Sequence, residues 1–290
     1  MNKLIKIVLF LLVLVNFIEA KDKLVYGLLY DDMFINKKEA KIGANIWLKE
    51  MNKKNLDVEF EVVLYNDEKK ILNDYEDKKI CSFISGGLFY HKNKTFLDTI
   101  TKNRWIINSE EDIFQEYYLI KNKKNDFKLK NTDANTFLYL EVFGKIWLES
   151  LLLNNGINLN KVKKNFVKAK SEKNAIFDVL LKKKMLAVVS NDAYSAMISL
   201  NPKLKEDIEI VKKSEKIFFR GIGLTRSELD KKTYDILNKV YNSVNDQKVD
   251  FGVLSLFQIQ RILLLKEDEL KPLNEFYKQY EGLKIKNEIN

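Results

Sequence analysis

Hydrophobic and polar positions follow two periodic patterns along this chain, and each pattern predicts one kind of secondary structure. Residues 57–65, DVEFEVVLY, place an apolar side chain at nearly every second position, which is typical of a strand with one buried face. Residues 37–54 instead place Ile42, Ile46 and Met51 roughly at helical spacing, with charged residues between them. This spacing predicts an amphipathic helix.

The two periodic patterns alternate along most of the chain. Apolar, β-branched or aromatic runs predict strands at 23–30, 57–65, 80–85, 104–109, 113–122, 164–170, 185–190 and 207–214. Amphipathic stretches predict helices at 37–54, 66–79, 135–156, 172–184, 191–200 and 227–244. Strands that alternate with helices favour an α/β fold in which helices cover both faces of a sheet.

Two of the predicted helices carry specific boundary signals. The helix that ends before Gly156 is expected to begin at a cap formed by Asn135 or Thr136. The helix over 227–244 opens with Ser227-x-x-Asp230, which predicts a capping box at its first turn.

The first 20 residues have the layout of a secretory signal peptide. Lys3 and Lys6 precede an apolar run over residues 7–15, and the segment ends on the small residue Ala20. An uncleaved membrane anchor is the alternative, but an apolar core of about a dozen residues is shorter than the roughly 20 needed to span a bilayer. Lys21 stands where a lipoprotein would carry cysteine. We therefore expect a cleaved leader and an exported, periplasmic, soluble protein.

The charge of the chain narrows the range of partners. The net charge is +9, and it becomes +8 without the two lysines and one glutamate of the leader. Only four basic residues are arginine, namely Arg104, Arg220, Arg226 and Arg261. The lysines are mixed with 41 acidic residues, which indicates a solvated surface. Export also argues against nucleic acid as a partner.

Nothing in the chain has the composition of a linker between domains. It contains two prolines and no glycine-rich stretch, so we expect two lobes joined by strands that cross between them. Lobe one is predicted to comprise residues 21–112 and 213–290, and lobe two residues 113–212. Ligands of open α/β sheets bind beyond the carboxyl ends of the strands, so the ligand cleft is expected between the lobes.

Several segments carry a family resemblance. They are LVYGLLYDD, KKICSFISGGLFYHK, KNAIFDVLLKKKMLAVVSNDAY, EIVKKSEKIFFRGIGLTRSELDKKTYDIL and, at the end, FQIQRILLLKEDELKPLNEFYKQYEG. In this order they resemble the periplasmic phosphate/phosphite/phosphonate-binding components of ABC transporters. The resemblance covers nearly the whole mature chain. It implies the two-lobed fold of type II solute-binding proteins.

The resemblance also implies the lobe-one side of a ligand site. The strand end ISGGLFY matches the family's glycine-proline-x-x-tyrosine loop, which makes Tyr90 the candidate pocket aromatic. Gly86 and Gly87 would allow close approach of the backbone to a ligand. Tyr30 corresponds to a second tyrosine that the family's first strand delivers.

On lobe two, the family holds the phosphonate oxygens at a Ser/Thr-rich helix N-terminus. The matching stretch NTDANTF, residues 131–137, offers Thr132, Asn135 and Thr136. It lacks the family's serine-threonine-serine run, and it contains Asp133, which would repel a phosphonate placed near it. The ligand-binding residues predicted on this lobe are therefore less suited to a phosphonate than those of the family.

Arg220 stands in the apolar run IFFRGIG. Members of the family that bind aminoalkylphosphonates carry acidic groups for the amine, and no matching acid is found here. A guanidinium can hold a phosphonate or carboxylate through two hydrogen bonds, which predicts a more purely anionic ligand. The alternative is that Arg220 extends from a strand edge and pairs with a surface glutamate.

No catalytic constellation emerges from the sequence. Cys81 and His91 are the only cysteine and histidine, and Cys81 lies within a predicted buried strand, as inert thiols commonly do. Neither a Cys–His nucleophile nor a zinc site is expected. Phosphate-binding glycine loops are also missing, and no cofactor is expected.

The sequence and the resemblance thus predict a monomeric periplasmic solute-binding protein, not an enzyme, that captures a small phosphate- or phosphonate-like anion for a membrane ABC permease. The alternative is a sensory or protein-interaction module with the same fold and a degenerate pocket. Its partner would be a membrane sensor or an envelope complex. The missing serine-threonine run is the feature that motivates this alternative.

Overall fold

The structure, a computed structural model, describes most of the chain. The described residues are 22–30, 37–52, 58–108, 114–129, 132, 135–140, 142–219, 221–245 and 261–289. The predicted signal peptide, Asp133 and Arg220 lie outside them. Within the described residues the chain forms two mixed β-sheets with helices packed on them.

Six strands form the first sheet. They are β1 (Asp22–Leu29), β2 (Val58–Tyr65), β3 (Ser82–Ser85), β4 (Thr101–Asn108), β10 (Ile222–Arg226) and β11 (Arg261–Leu265). Their order is β11-β4-β10-β3-β1-β2. β1 is parallel to β2 and β3, while β10 runs antiparallel between β3 and β4. The helices of the same segments are α1 (Lys37–Asn52), α2 (Glu68–Glu76), α3 (Gly87–Ile100), α9 (Lys231–Asn245) and α10 (Glu267–Ile289).

Five strands form the second sheet. They are β5 (Tyr117–Asn122), β6 (Thr136–Tyr139), β7 (Phe166–Lys168), β8 (Met185–Ser190) and β9 (Ile208–Lys213), in the order β7-β6-β8-β5-β9. β6 is parallel to β7 and β8, and β5 is antiparallel to β8 and β9. The helices are α4 (Val142–Asn154), α5 (Leu159–Val162), α6 (Glu172–Leu181), α7 (Asn191–Leu200) and α8 (Leu204–Asp207).

The chain passes from the first sheet to the second before β5 and returns after β9. The two passages lie side by side, because the backbone N–H of Gln115 donates to the carbonyl of Phe218 at 2.5 Å and Phe218 donates back at 3.3 Å. The backbone N–H of Tyr117 also donates to Ser214 Oγ at 2.8 Å. The lobe boundaries predicted from the sequence stay a prediction.

The predicted alternation of strands and helices is confirmed, but the single helix predicted over 135–156 is wrong. Its first part is strand β6, and α4 begins only at Val142. The apolar stripe of this segment suits either structure, and tertiary pairing decides between them: Phe137 lies opposite Phe166 of β7 and Leu186 of β8. Asn135 and Thr136 are therefore not helix caps.

One further local prediction needs correction, and some elements were not predicted. The capping box at Ser227 is wrong, because α9 begins at Lys231 and Asp230 accepts hydrogen bonds from Thr233, at 2.9 Å from the backbone N–H and 2.6 Å from the hydroxyl. The double glycine that ends β3 leads directly into α3, a helix that the sequence pattern did not predict. Strand β10 was also not predicted.

Candidate functional site

The carboxyl ends of two parallel strands meet at one edge of the first sheet. Leu28 of β1 lies opposite Ile84 of β3, so Tyr30 and Gly86 follow at the same edge. Ile222 of β10 is paired with Ser85, which brings the segment before β10 to this edge as well. Three of the sequence-predicted residues, Tyr30, Gly86 and Gly87, are thereby brought together, where the fold is expected to bind ligands.

The N-terminus of α3 at this edge has donors that no side chain of the described residues caps. Gly86 is the N-cap residue and makes no side-chain hydrogen bond, while the first backbone N–H groups of a helix lack intrahelical partners. The helix dipole adds partial positive charge at the same place. Such a terminus binds anions.

Ser85 is a candidate site residue that sequence reasoning missed. Its side chain is fully buried, two residues before α3 begins, and within the described part of the chain its hydroxyl has no hydrogen-bond partner. A buried hydroxyl without a partner carries a desolvation cost, which a bound acceptor would relieve. The signal available in the sequence was a serine placed directly before two glycines at the end of a buried strand.

Apolar side chains from the first sheet's helices, the returning passage and the second sheet's helix α4 cover the start of α3. A Cβ placed on Gly87 would lie 3.2 Å from Cε2 of Phe219 and 3.5 Å from both Cδ2 of Leu273 and Cε1 of Phe143. Phe143 belongs to the first turn of α4, on the second sheet's side, and Leu273 to α10. The two halves of the molecule therefore touch across this edge through aromatic and aliphatic groups.

The structure directs the hydroxyl of Tyr90 to a charged cluster. The ring is 2% exposed, and its hydroxyl donates to Asp98 Oδ1 at 2.9 Å and accepts from Arg104 Nε at 2.8 Å. Lys94 and Arg104 also pair with the Asp98 carboxylate. Burial would raise the pKa of Asp98, but hydrogen bonds from Lys94, Arg104 and Tyr90 outweigh burial and hold it below its usual value. The Tyr90 hydroxyl is thus already satisfied within the protein.

One end of the second sheet adjoins the two passages between the sheets, and the other end lies away from them. We call the end with Tyr117 and Ser190 the hinge edge, because these paired residues adjoin the passages. The opposite end, with Thr136 paired to Met185, is the distal edge. Met185 and Ser190 are five residues apart on β8, which separates the two edges by roughly 17 Å.

The sequence-predicted residues of lobe two lie at this distal edge. The backbone N–H of Thr136 donates to the carbonyl of Lys184, and the backbone N–H of Asn135 donates to that of Thr132. Asn125 Nδ2 also donates to Asn135 Oδ1 at 3.4 Å. The structure therefore does not bring Thr132, Asn135 and Thr136 to the helix N-terminus that follows β6.

The hinge edge of the second sheet carries a carboxylate in place of an anion site. Glu172 accepts from the backbone N–H of Ser190 at 2.5 Å and from its hydroxyl at 3.1 Å. The Ser190 hydroxyl in turn accepts from the backbone N–H of Ala193, which caps α7. Donors that would attract an anion at the start of α7 are thus occupied by groups of the protein. The first residues of α4, Val142, Phe143 and Gly144, add no side-chain hydroxyl.

The remaining candidates for chemistry are engaged in structural contacts. Cys81 is buried, its thiol donates to the carbonyl of Val25 at 3.2 Å, and burial raises its pKa to about 12. His91 Nδ1 lies 3.3 Å from Oδ1 of Asn274, and its ring packs on Tyr277 with 4.8 Å between centroids. Within the described residues no group of three or more His, Cys, Asp or Glu side chains is arranged to hold a metal ion. In the same ranges no helix has both the length and the apolar character to cross a membrane.

Comparison with solved structures identifies the fold. A binding-protein component of an ABC phosphonate transporter from Pseudomonas aeruginosa superposes with a TM-score of 0.64 at 15% identity, covering 92% of this chain and 89% of that one. PhnD1 from Prochlorococcus marinus, solved with methylphosphonate, gives a TM-score of 0.61 at 16% identity, covering 90% and 99%.

The periplasmic aliphatic sulphonate binding protein SsuA from Escherichia coli gives a TM-score of 0.51 at 8% identity, covering 91% and 94%. No protein-family model and no curated protein matches the sequence. The two α/β sheets of this chain therefore have the type II periplasmic-binding-protein fold, which confirms the fold class predicted from the sequence.

Proposed function

We propose that this chain is an exported solute-binding protein that holds a small acid between its lobes and delivers it to a membrane ABC permease. The fold supports a binding role, and the leader-like first 20 residues support export to the periplasm. The observation that carries the proposal is the buried Ser85 hydroxyl, without a described partner, beside the uncapped N-terminus of α3.

The acid group of the ligand is placed at this terminus. Ser85 would donate its hydroxyl hydrogen, and Gly86 and Gly87 would let the ligand approach the backbone N–H groups of α3 closely. Tyr30 lies at the same edge and completes the proposed contact set. Arg220 is proposed as a further positive group for the acid on the sequence argument alone.

The rest of the ligand is proposed to be apolar. Phe143 and Phe219 lie within contact distance of the start of α3. The carboxylate of Glu172 occupies the donors of Ser190, so a second anionic group would be disfavoured. An alkylphosphonate or alkylsulfonate suits these surroundings better than inorganic phosphate.

The test is a thermal-shift and calorimetric screen of residues 21–290 against methylphosphonate, methanesulfonate, phosphate, phosphite and acetate. A ligand present at a hundredfold its Kd stabilises the folded state by about 2.7 kcal/mol. Ser85→Ala should then weaken binding at least tenfold without lowering the free energy of unfolding, because the hydroxyl has no described partner to lose and its removal relieves a desolvation cost.

Ser82→Ala is the matched control on the same strand. The Ser82 hydroxyl donates to the carbonyl of Leu224 at 2.8 Å, so its loss should cost about 1 kcal/mol of stability and leave affinity unchanged. Equal affinity of the Ser85→Ala variant and the parent for a confirmed ligand would remove the proposed site.

A second candidate function is supported by the filled start of α3. Phe143, Phe219 and Leu273 cover it, as expected of a degenerate pocket in a sensory or interaction module. The two functions separate in one experiment: no thermal shift with any acid, together with ligand-independent co-purification of one membrane sensor or envelope protein, would favour the module. A shift with one acid class would favour transport.

A further inference from the structure

The distal end of lobe two gathers most of the chain's excess positive charge. This end is the surface formed by segments 122–128, 161–164, 178–184 and 200–209. Hydrogen bonds tie three of these segments together: Asn122 Nδ2 donates to the carbonyl of Leu180 at 2.9 Å, and Lys123 Nζ donates to the carbonyl of Lys205 at 2.9 Å. Segment 161–164, which precedes Phe166, lies at the same end, because Phe166 at the start of β7 is paired with Phe137 near the start of β6.

Lysines outnumber carboxylates about two to one on this surface. The eleven exposed lysines are Lys123, Lys124, Lys128, Lys161, Lys163, Lys164, Lys182, Lys183, Lys184, Lys203 and Lys205. The five carboxylates are Asp126, Asp178, Glu206, Asp207 and Glu209. Two of the five are already paired, Asp178 with Lys182 at 2.8 Å and Glu209 with the buried Lys121 at 3.4 Å. The surface is therefore strongly positive, while the mature chain as a whole carries only +8.

Two apolar side chains project from the same end. Leu181 ends α6 and is 80% exposed, and Leu200 ends α7 and is 81% exposed. They are the most exposed large hydrophobic side chains among the described residues. Water-exposed leucines on a lysine-rich surface differ from a merely solvated surface, since each keeps apolar area in water that a partner can cover.

We propose that the distal end of lobe two binds the surface of an anionic phospholipid membrane. Lysines near such a surface are attracted by its negative potential, and leucines can enter the boundary between headgroups and acyl chains. The leader-like first 20 residues argue against nucleic acid as the partner, because an exported protein does not meet it. The distal edge is opposite to the hinge edge, so this binding does not depend on the proposed solute site.

The test is co-sedimentation of residues 21–290 with vesicles of phosphatidylcholine alone or mixed with phosphatidylglycerol. Binding is expected only to the mixed vesicles, and it should weaken steeply as salt is added. The triple variant Lys183→Gln, Lys184→Gln, Lys203→Gln removes three charges that have no described side-chain partner. At about fivefold per lysine, the partition coefficient should fall by about a hundredfold.

The matched control is Lys37→Gln, Lys38→Gln, Lys41→Gln on α1 of the first sheet, which removes the same charge from three exposed lysines. This variant should bind within threefold of the parent. The double variant Leu181→Ser, Leu200→Ser should weaken the part of the vesicle binding that remains at high salt. Ile285→Ser, also at an exposed site, should not weaken it. Equal losses in the two lysine variants, or no binding to the mixed vesicles, would overturn the proposal.

Discussion

Gly223→Ala should destabilise the protein severely, because the indole of Trp105 occupies the place of its side chain. Gly223 lies in β10 opposite Trp105 of β4. A Cβ on Gly223 would stand 2.0, 2.2 and 2.3 Å from Cε2, Cδ2 and Cζ2 of the indole. Carbon atoms in good contact stand about 3.5–4.0 Å apart, so the ring must move by roughly 1.5 Å.

The indole has little freedom to move. It is 1% exposed, its Nε1 donates to Thr225 Oγ1 at 3.2 Å, and its ring packs on Tyr241 with 5.4 Å between centroids. Overpacking a core costs about 1–3 kcal/mol, and loss of a buried tryptophan's packing costs about 3–5 kcal/mol. The alanine also restricts the unfolded chain, which offsets about 0.4–1 kcal/mol. We expect a net loss of about 3 kcal/mol.

Urea unfolding followed by circular dichroism measures this loss, and the melting temperature should fall by roughly 10 °C. Gly282→Ala is the control, since nothing lies within 4 Å of its added Cβ in α10; it should stabilise by about 0.5–1 kcal/mol. On a Trp105→Leu background the cost of Gly223→Ala should shrink by more than half. A Gly223→Ala variant within 1 kcal/mol of the parent would show that the indole does not fill this space.

Three further predictions concern side chains around the site. Asp98→Asn should lower the free energy of unfolding at pH 7. Hydrogen bonds hold the pKa of Asp98 below its usual value against the effect of burial, so the ionised carboxylate stabilises the fold above about pH 4. The difference in free energy of unfolding from the parent should therefore shrink toward pH 2, and a difference that stays constant with pH would contradict this. Tyr90→Phe should cost about 1 kcal/mol without changing the thermal shift produced by a ligand; a lost shift would instead place its hydroxyl in the pocket. Cys81, whose pKa burial raises to about 12, should resist a thiol reagent at pH 8 in the folded protein and react with one equivalent in urea.

The lobe-two side of the candidate site shows why part of it could not be predicted. The stripe from Phe137 to Leu151 has helical spacing, yet its start is strand β6 because two neighbouring strands offer it hydrogen bonds. Period and composition are local properties, whereas pairing with residues 30 or 50 positions away is not. Placing Thr132, Asn135 and Thr136 at a helix N-terminus failed for this reason.

The lobe-one side was more accessible to sequence reasoning. Gly86 and Gly87 follow a buried strand, and a double glycine at such a place allows a sharp exit into a helix. Their position at the same edge as Tyr30 followed from the predicted α/β fold, in which the strands that precede these residues run parallel. Ser85 was missed because an unpartnered hydroxyl can be recognised only when every neighbouring group has been placed.

The sequence by itself determined the α/β class, the order of most strands and helices, and the burial of Cys81, because these depend on local periodicity and on the separation of apolar from polar residues. Only the tertiary structure decided which ends of the strands meet, that the Ser85 hydroxyl has no partner among the described residues, and that lysines from four separate segments lie at the same end as Leu181 and Leu200. These properties depend on distances between residues far apart in the chain, and such distances exist only once the sheets have formed.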